Sequence, residues 1–242
     1  METSSAQTNV DPDEVRKFGS LAEQWWDPKG ELRTLHQINP IRIDYVERFA
    51  RLDGAEALDL GCGGGIVSEG LARRGAKVLG ADMAEESVAI ARAHCQGQNL
   101  NVSYVRASAE ELARDMPGRF DVVTCMELIE HVPHPASLVR AAATLLKPGG
   151  SCFFTTVNRN AASFIQAIVI AEWVLGFLKR GTHDFRRFVR PSELARMARQ
   201  AGLVVDDVSG MGYNPVANAF YLRADPDVNY LARCVKPMGA AD

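Results

Sequence analysis

The sequence predicts an α/β fold: a doubly wound, mostly parallel, Rossmann-like sheet of seven strands, with N-terminal helices and a helical lid inserted late in the chain. Three observations predict it. From residue 57 onward, short apolar runs (57–60, 77–81, 102–105, 120–125 and 152–157) alternate with helical stretches (66–74, 85–96 and 136–146), a spacing that implies right-handed crossovers. Gly75 and Gly97 directly follow two of those stretches, and glycine takes the left-handed conformation past a helix end at least cost. A glycine run, Gly61-Cys62-Gly63-Gly64-Gly65, follows the first apolar run, where open α/β sheets hold their ligands.

Taken in order, residues 11–26 carry Val15, Phe18, Leu21, Ala22 and Trp25 at helical spacing. Asn39-Pro40 is a cap followed by a first-turn proline, and predicts a helix opening there and running to Arg51. Beyond the alternating core come a long apolar stretch at 163–179, a helix at 192–200 and a closing pair of strands at 203–208 and 219–222. All 242 residues are expected to form one domain. Residues 1–52 would make a helical cap, 53–158 the ligand-binding core, 159–191 the apolar insertion, and 192–242 the rest of the sheet.

Composition narrows the function. Hydrophobic residues make up 47% and charged residues 24% of the chain, enough for a core that needs no staples. With 27 basic and 30 acidic residues the formal charge is −3, so no global basic field recommends nucleic acid as a partner. The five cysteines are scattered, with no C-x-x-C pair, which points away from a disulfide framework or a zinc site and toward a reducing compartment. The polar, acidic start METSSAQTNVDPDE is unlike a signal peptide, and the expected location is the cytoplasm.

The glycine run excludes two nucleotide sites. The third glycine of the dinucleotide fingerprint would fall on Ile66, and no G-K-[ST] follows. Asp82 ends the second strand, 21 positions after Gly61. It can accept the hydroxyl hydrogens of a ribose, or simply cap the next helix. Together the turn and Asp82 suit a nucleoside without a pyrophosphate, and S-adenosylmethionine is the commonest such ligand.

The order of glycine turn, Asp82, Phe120-Asp121-Val122-Val123 and Leu146-Lys147-Pro148-Gly149-Gly150 resembles the class I S-adenosylmethionine-dependent methyltransferases. Further strings extend the match: Trp25-Trp26-Asp27, Leu35-His36-Gln37-Ile38-Asn39-Pro40-Ile41-Arg42, Cys125-Met126-Glu127-Leu128-Ile129-Glu130-His131-Val132, Val157-Asn158-Arg159-Asn160, Lys179-Arg180-Gly181-Thr182-His183-Asp184, Tyr213-Asn214-Pro215 and Asp227-Val228-Asn229-Tyr230. Over nearly the whole chain these resemble the ubiquinone-biosynthesis O-methyltransferases. The resemblance implies methyl transfer to phenolic hydroxyls of a polyprenyl catechol (2-polyprenyl-6-hydroxyphenol) and of 3-demethylubiquinol. It also implies that Arg42, Gly61, Asp82 and Met126 line the cofactor site, with Arg42 on the methionine carboxylate. Ser108-Ala109 would lie near the adenine. From spacing alone Arg42 is a surface helix charge and Met126 a core residue. A methyltransferase for another small acceptor, or a non-catalytic lipid- or cofactor-binding subunit, are the rival readings.

Glu127, Glu130 and His131 stand at i, i+3 and i+4, so a helical turn would gather them on one face beyond the fourth strand. A phenol of pKa ~10 must be ionised, a demand of roughly 4 kcal/mol at neutral pH. A divalent cation such as Mg²⁺ held by the two carboxylates and the imidazole would supply it. Without a metal, His131 would act as general base. These three residues are the expected catalytic set.

The stretch 163–178 is the most hydrophobic of the chain, interrupted by Gln166 and Glu172 and ended by Lys179-Arg180. It is too short for a comfortable membrane span. A buried lid helix and a helix lying in the membrane interface are both open, the second fitting a substrate whose isoprenoid tail stays in the bilayer. Peripheral association with the inner, anionic membrane face follows from the second; contacts with other enzymes of ubiquinone biosynthesis are what the resemblance implies.

Overall fold

The computed structural model describes residues 9–160, 185–214, 216–217 and 219–239. Two helices come first, α1 (Pro12–Ser20) and α2 (Arg33–Phe49). The alternating core follows: β1 (Glu56–Leu60), α3 (Ile66–Arg73), β2 (Lys77–Asp82), α4 (Glu85–Cys95), β3 (Val102–Arg106), α5 (Ala109–Asp115), β4 (Phe120–Met126), α6 (Pro135–Leu145) and β5 (Leu146–Val157). The chain closes with α7 (Pro191–Gln200), β6 (Val204–Asn214), β7 (Ala219–Arg223) and β8 (Asn229–Val235).

These strands form one sheet in the order β3-β2-β1-β4-β5-β8-β6-β7. The first five are mutually parallel, while β8 runs antiparallel between β5 and β6, and β7 pairs antiparallel on the outer side of β6. The strand order reverses between β1 and β4, so the ligand crevice is expected outside their carboxyl ends.

Where the sequence predicts seven strands the sheet has eight. The expected closing pair does form a hairpin, but β8 separates it from the parallel core. Tyr230, Leu231, Ala232 and Cys234 of β8 are all buried. A strand covered on both faces shows no alternation by which to recognise it.

Side chains alternate across the sheet. Val123, Cys125 and Phe154 join Leu138, Val139 and Ala142 of α6 and Leu194 of α7 on one face. Val122 and Phe153 join Val46 of α2 and Val67 and Leu71 of α3 on the other. Each fully buried Leu, Val or Phe contributes about 1.5–3 kcal/mol of transfer free energy, which fixes which residues point at the crevice.

The N-terminal helices depart from expectation. The helix expected at 11–26 stops at Ser20 and resumes as a 3-10 turn at Ala22–Gln24; its start is capped by Asp11, whose side chain accepts from Asp13 N–H. Asn39-Pro40 does not open a helix. α2 starts at Arg33 and carries Pro40 inside it, while the Asn39 side chain donates to Ile66 O at 3.0 Å. Burial of Ile38, Ile43, Tyr45 and Val46 on the sheet outweighs the hydrogen bond the proline removes. α5 is not among the helices expected from the sequence. Ser108 and Glu111 start it with a reciprocal capping box. The apolar stretch 163–178 lies outside the described residues. Among the described residues no helix is long and apolar enough to cross a membrane.

Candidate active site

The turn after β1 needs three of its glycines for backbone reasons: Gly61, Gly63 and Gly65 have φ of +70°, +50° and +91°. It hangs from the end of β2, with Gly61 N–H and Cys62 N–H both donating to Ala81 O, at 2.8 and 3.0 Å. Asp82 ties the turn to the next helix. Its Oδ2 accepts from Gly63 N–H and its Oδ1 from Ala84 N–H, each at 2.9 Å. Burial nonetheless raises the Asp82 pKa, against those two bonds. The capping role considered for Asp82 is therefore present, and the same carboxylate faces the crevice.

That crevice is a cavity of about 940 Å³ bordered by the glycine turn, the end of β4 and the N-terminal helices. Arg42, Gly61, Asp82, Met126, Glu127, Glu130 and His131 all line it, as does Ser108. Arg42 is no surface charge: it is 2% exposed and its guanidinium pairs with Glu127. Burial pulls its pKa down to about 9, opposed by the nearby carboxylates of Asp59 and Glu130. Its Nε meets no hydrogen-bond acceptor among the described residues, and neither does Glu130 Oε2 a donor. Asp59 sits beneath, accepting from Ser68 Oγ at 2.6 Å and Thr124 Oγ1 at 2.8 Å. Its pKa is pushed up to about 6 by burial, despite those bonds and the Arg42 charge.

The expected helical face of Glu127, Glu130 and His131 does not form. Glu127 takes a left-handed φ of +49°, with its N–H donating to Thr155 O at 3.0 Å. Only a 3-10 turn, Ile129–His131, follows. The three side chains diverge in their bonding. Glu127 goes to Arg42, Glu130 is buried at 4% exposure, and His131 Nδ1 donates to Glu14 Oε2 at 2.9 Å. Among the described residues no three His, Cys, Asp or Glu side chains converge as a metal site.

Glu14, which the sequence reading passes over, is brought in by α1. That helix is strapped across the β4 end. Asn9 exchanges hydrogen bonds with His134, with donor–acceptor distances of 3.1 and 2.8 Å, and donates to Glu110 at 2.9 Å. Arg187 reaches Asp11 at 3.0 Å. Phe18 packs edge-on against the His131 ring, 5.1 Å between centroids. The His131 hydrogen bond, aided by Lys17 and Arg187, lowers the Glu14 pKa despite partial burial. The apolar spacing of Val15 and Phe18 gives the side of α1 that borders the cavity, but no local signal says which part of the sheet lies beneath it.

Comparisons agree with this architecture. A family model described as a methyltransferase domain matches residues 34–208. The chain is 51% identical over 235 residues to the ubiquinone biosynthesis O-methyltransferase of Methylococcus capsulatus, covering 97% of this chain and 99% of that one. It is 52% identical over 224 residues to the enzyme of the same name from Chromobacterium violaceum, covering 93% and 97%. Among solved structures, the magnesium protoporphyrin IX methyltransferase of Synechocystis with bound S-adenosylhomocysteine superposes with a TM-score of 0.68. The match covers 93% of this chain and all of that one, and at 18% identity it speaks to the fold. A full-length likeness of this order, on this sheet, shows that the chain belongs to the ubiquinone biosynthesis O-methyltransferases and is a class I S-adenosylmethionine-dependent methyltransferase.

Proposed function

We propose that the protein methylates phenolic hydroxyls of a polyprenyl catechol and of 3-demethylubiquinol. The observation that carries the reading is the pairing, in one cavity, of a nucleoside-type end (Gly61 and Asp82) with an acid–base end (His131 on Glu14). S-adenosylmethionine supplies a sulfonium-activated methyl group when bound. Asp82 is assigned to the ribose hydroxyls: its oxygens have lone pairs beyond those used by Gly63 and Ala84. Arg42 is assigned to the methionine carboxylate. A desolvated guanidinium whose Nε has no acceptor suits that group, which would compete with Glu127 for it. Met126 walls the cavity beside them.

At the other end His131 is assigned as general base. With Nδ1–H given to Glu14, Nε2 is the nitrogen left to accept the phenol proton. Glu14 then stabilises the imidazolium that forms, as a carboxylate does behind a catalytic histidine. The divalent cation expected at Glu127, Glu130 and His131 does not fit this donor set as it stands, because Glu127 is engaged by Arg42 and His131 by Glu14.

Peripheral binding to the inner membrane face is part of the proposal. It is supported by the apolar run 163–178 ending in Lys179-Arg180 and by a substrate tail that stays in lipid. Acidic vesicles should sediment the wild type and leave the Trp173→Glu/Phe177→Glu variant in solution; equal recovery counts against it. The acceptor is tested by mass spectrometry of quinone intermediates in cells lacking the protein. Unmethylated polyprenyl catechol should accumulate, and an unchanged profile would refute the assignment.

A further inference from the structure

The geometry points to Trp25 as a positioning residue of the cofactor site, one that the glycine turn is shaped to receive. This rests on the cofactor reading of the site and is independent of the acceptor's identity. The starting observation is Gly64. Its neighbours Gly61, Gly63 and Gly65 have left-handed φ, whereas Gly64 does not, so its backbone makes no demand for glycine. Its surroundings do. A Cβ on Gly64 would lie 2.4 Å from Trp25 Cγ, and one on Gly63 would lie 2.2 Å from Trp25 Cη2. Real Cβ atoms essentially never approach other atoms that closely, so the indole lies against bare backbone at both positions.

The contact is anchored on both sides. Trp25 is 7% exposed and its Nε1 donates to the buried Ser87 Oγ of α4 at 3.3 Å. Trp26 Nε1 donates to Gly64 O at 2.9 Å, and its ring stacks on His94 with centroids 3.4 Å apart. His94 Nδ1 in turn donates to the buried Glu69 of α3 at 2.6 Å. The two indoles therefore bind the glycine turn to the helices before and after β2. A tryptophan serving only the core would sit behind the turn, but Trp25 borders the cavity together with Gly61, Gly63 and Asp82. Gly63 links them directly, with the indole against its Cα and its N–H on Asp82 Oδ2. Trp25 thus holds the turn, and through Gly63 the ribose carboxylate, in the geometry that receives the nucleoside.

Calorimetric titration with S-adenosylmethionine, without acceptor, tests this. Wild type that fails to bind would sink the cofactor reading itself. Given wild-type binding, Trp25→Ala should weaken affinity at least tenfold, and Trp25→Phe, which keeps a ring on the turn, should stay within about threefold. Gly64→Ala, whose new methyl displaces the ring, should weaken binding to a similar degree and raise acrylamide quenching of tryptophan fluorescence. In the double variant the two losses should combine to less than their product, because both act through the same ring. Thermal unfolding checks that each variant is folded; should Trp25→Ala not fold, Gly64→Ala decides by the same affinity and quenching readouts. Near-wild-type affinity in Trp25→Ala, unaltered quenching in Gly64→Ala, or losses that multiply would overturn the inference.

Discussion

At the β1–β2 end of the cavity the contacts are short in sequence and made largely by backbone: Gly61 and Cys62 hang from Ala81 O, and Gly63 N–H meets an Asp82 carboxylate 19 positions away. At the β4 end they are long in sequence and made by side chains: Glu127 reaches Arg42 on α2, and His131 reaches Glu14 across 117 positions. The first end is set by strand and turn geometry, with the indoles of Trp25 and Trp26 braced against the turn. The second exists only once α1 and α2 have docked. A site of this kind has a rigid nucleoside end and an acid–base end whose parts arrive separately, so damage to one should leave the other measurable.

The largest effect expected is from Asp82→Ala. It removes the proposed ribose acceptor and the partner of Gly63 N–H together. Hydrogen bonds to a charged group contribute about 1.5–3 kcal/mol each, so losing those to two ribose hydroxyls should weaken S-adenosylmethionine binding about 100-fold or more by calorimetry. A loss under tenfold would mean that the nucleoside end does not depend on Asp82, and the contrast between the ends would fail there.

The same contrast explains what the sequence disclosed. Gly61–Gly65, Asp82 and the alternation through β5 are local signals, each carried by a conformational need at that position, and they place the sheet and its crevice. β8 went unrecognised because a strand buried on both faces shows no period. Pro40 misled because a cap signal is local while the burial that overrides it is not. The spacing of Glu127, Glu130 and His131 would share a face only on an α-helix, and the left-handed φ at Glu127 breaks that turn before it starts. Arg42 looked like a surface charge because nothing in its own helix shows that the β4 end lies over it.

Next in size is His131→Gln, which keeps a polar side chain but removes the proposed general base. General-base catalysis contributes about 10²–10⁴-fold, so kcat should fall in that range while cofactor affinity stays within twofold of wild type. Equal loss of affinity would show that the two ends are not separable. An unchanged kcat would remove His131 from the chemistry.

The smallest and most discriminating change is Glu14→Gln. Glu14 lies in α1, remote in sequence from the other site residues, yet its carboxylate accepts from His131 Nδ1 and its pKa is lowered, mainly by that bond. If it orients the ring and stabilises the charge formed on it, kcat should fall about 10–100-fold, the equivalent of one hydrogen bond to a charged group at roughly 1.5–3 kcal/mol, with KM little changed. Stability supplies an independent check. A carboxylate whose folded pKa is depressed contributes stability that is present above its ordinary value of 4.5 and lost as pH falls through the folded value. Wild type should therefore melt about 2–4 °C above Glu14→Gln near neutrality, from a contribution on the order of 1 kcal/mol. That gap should close on acidification below pH 4.5. A gap that persists unchanged into acid would mean that Glu14 acts by packing rather than by charge. A kcat loss without any such gap would place its effect in the chemical step alone.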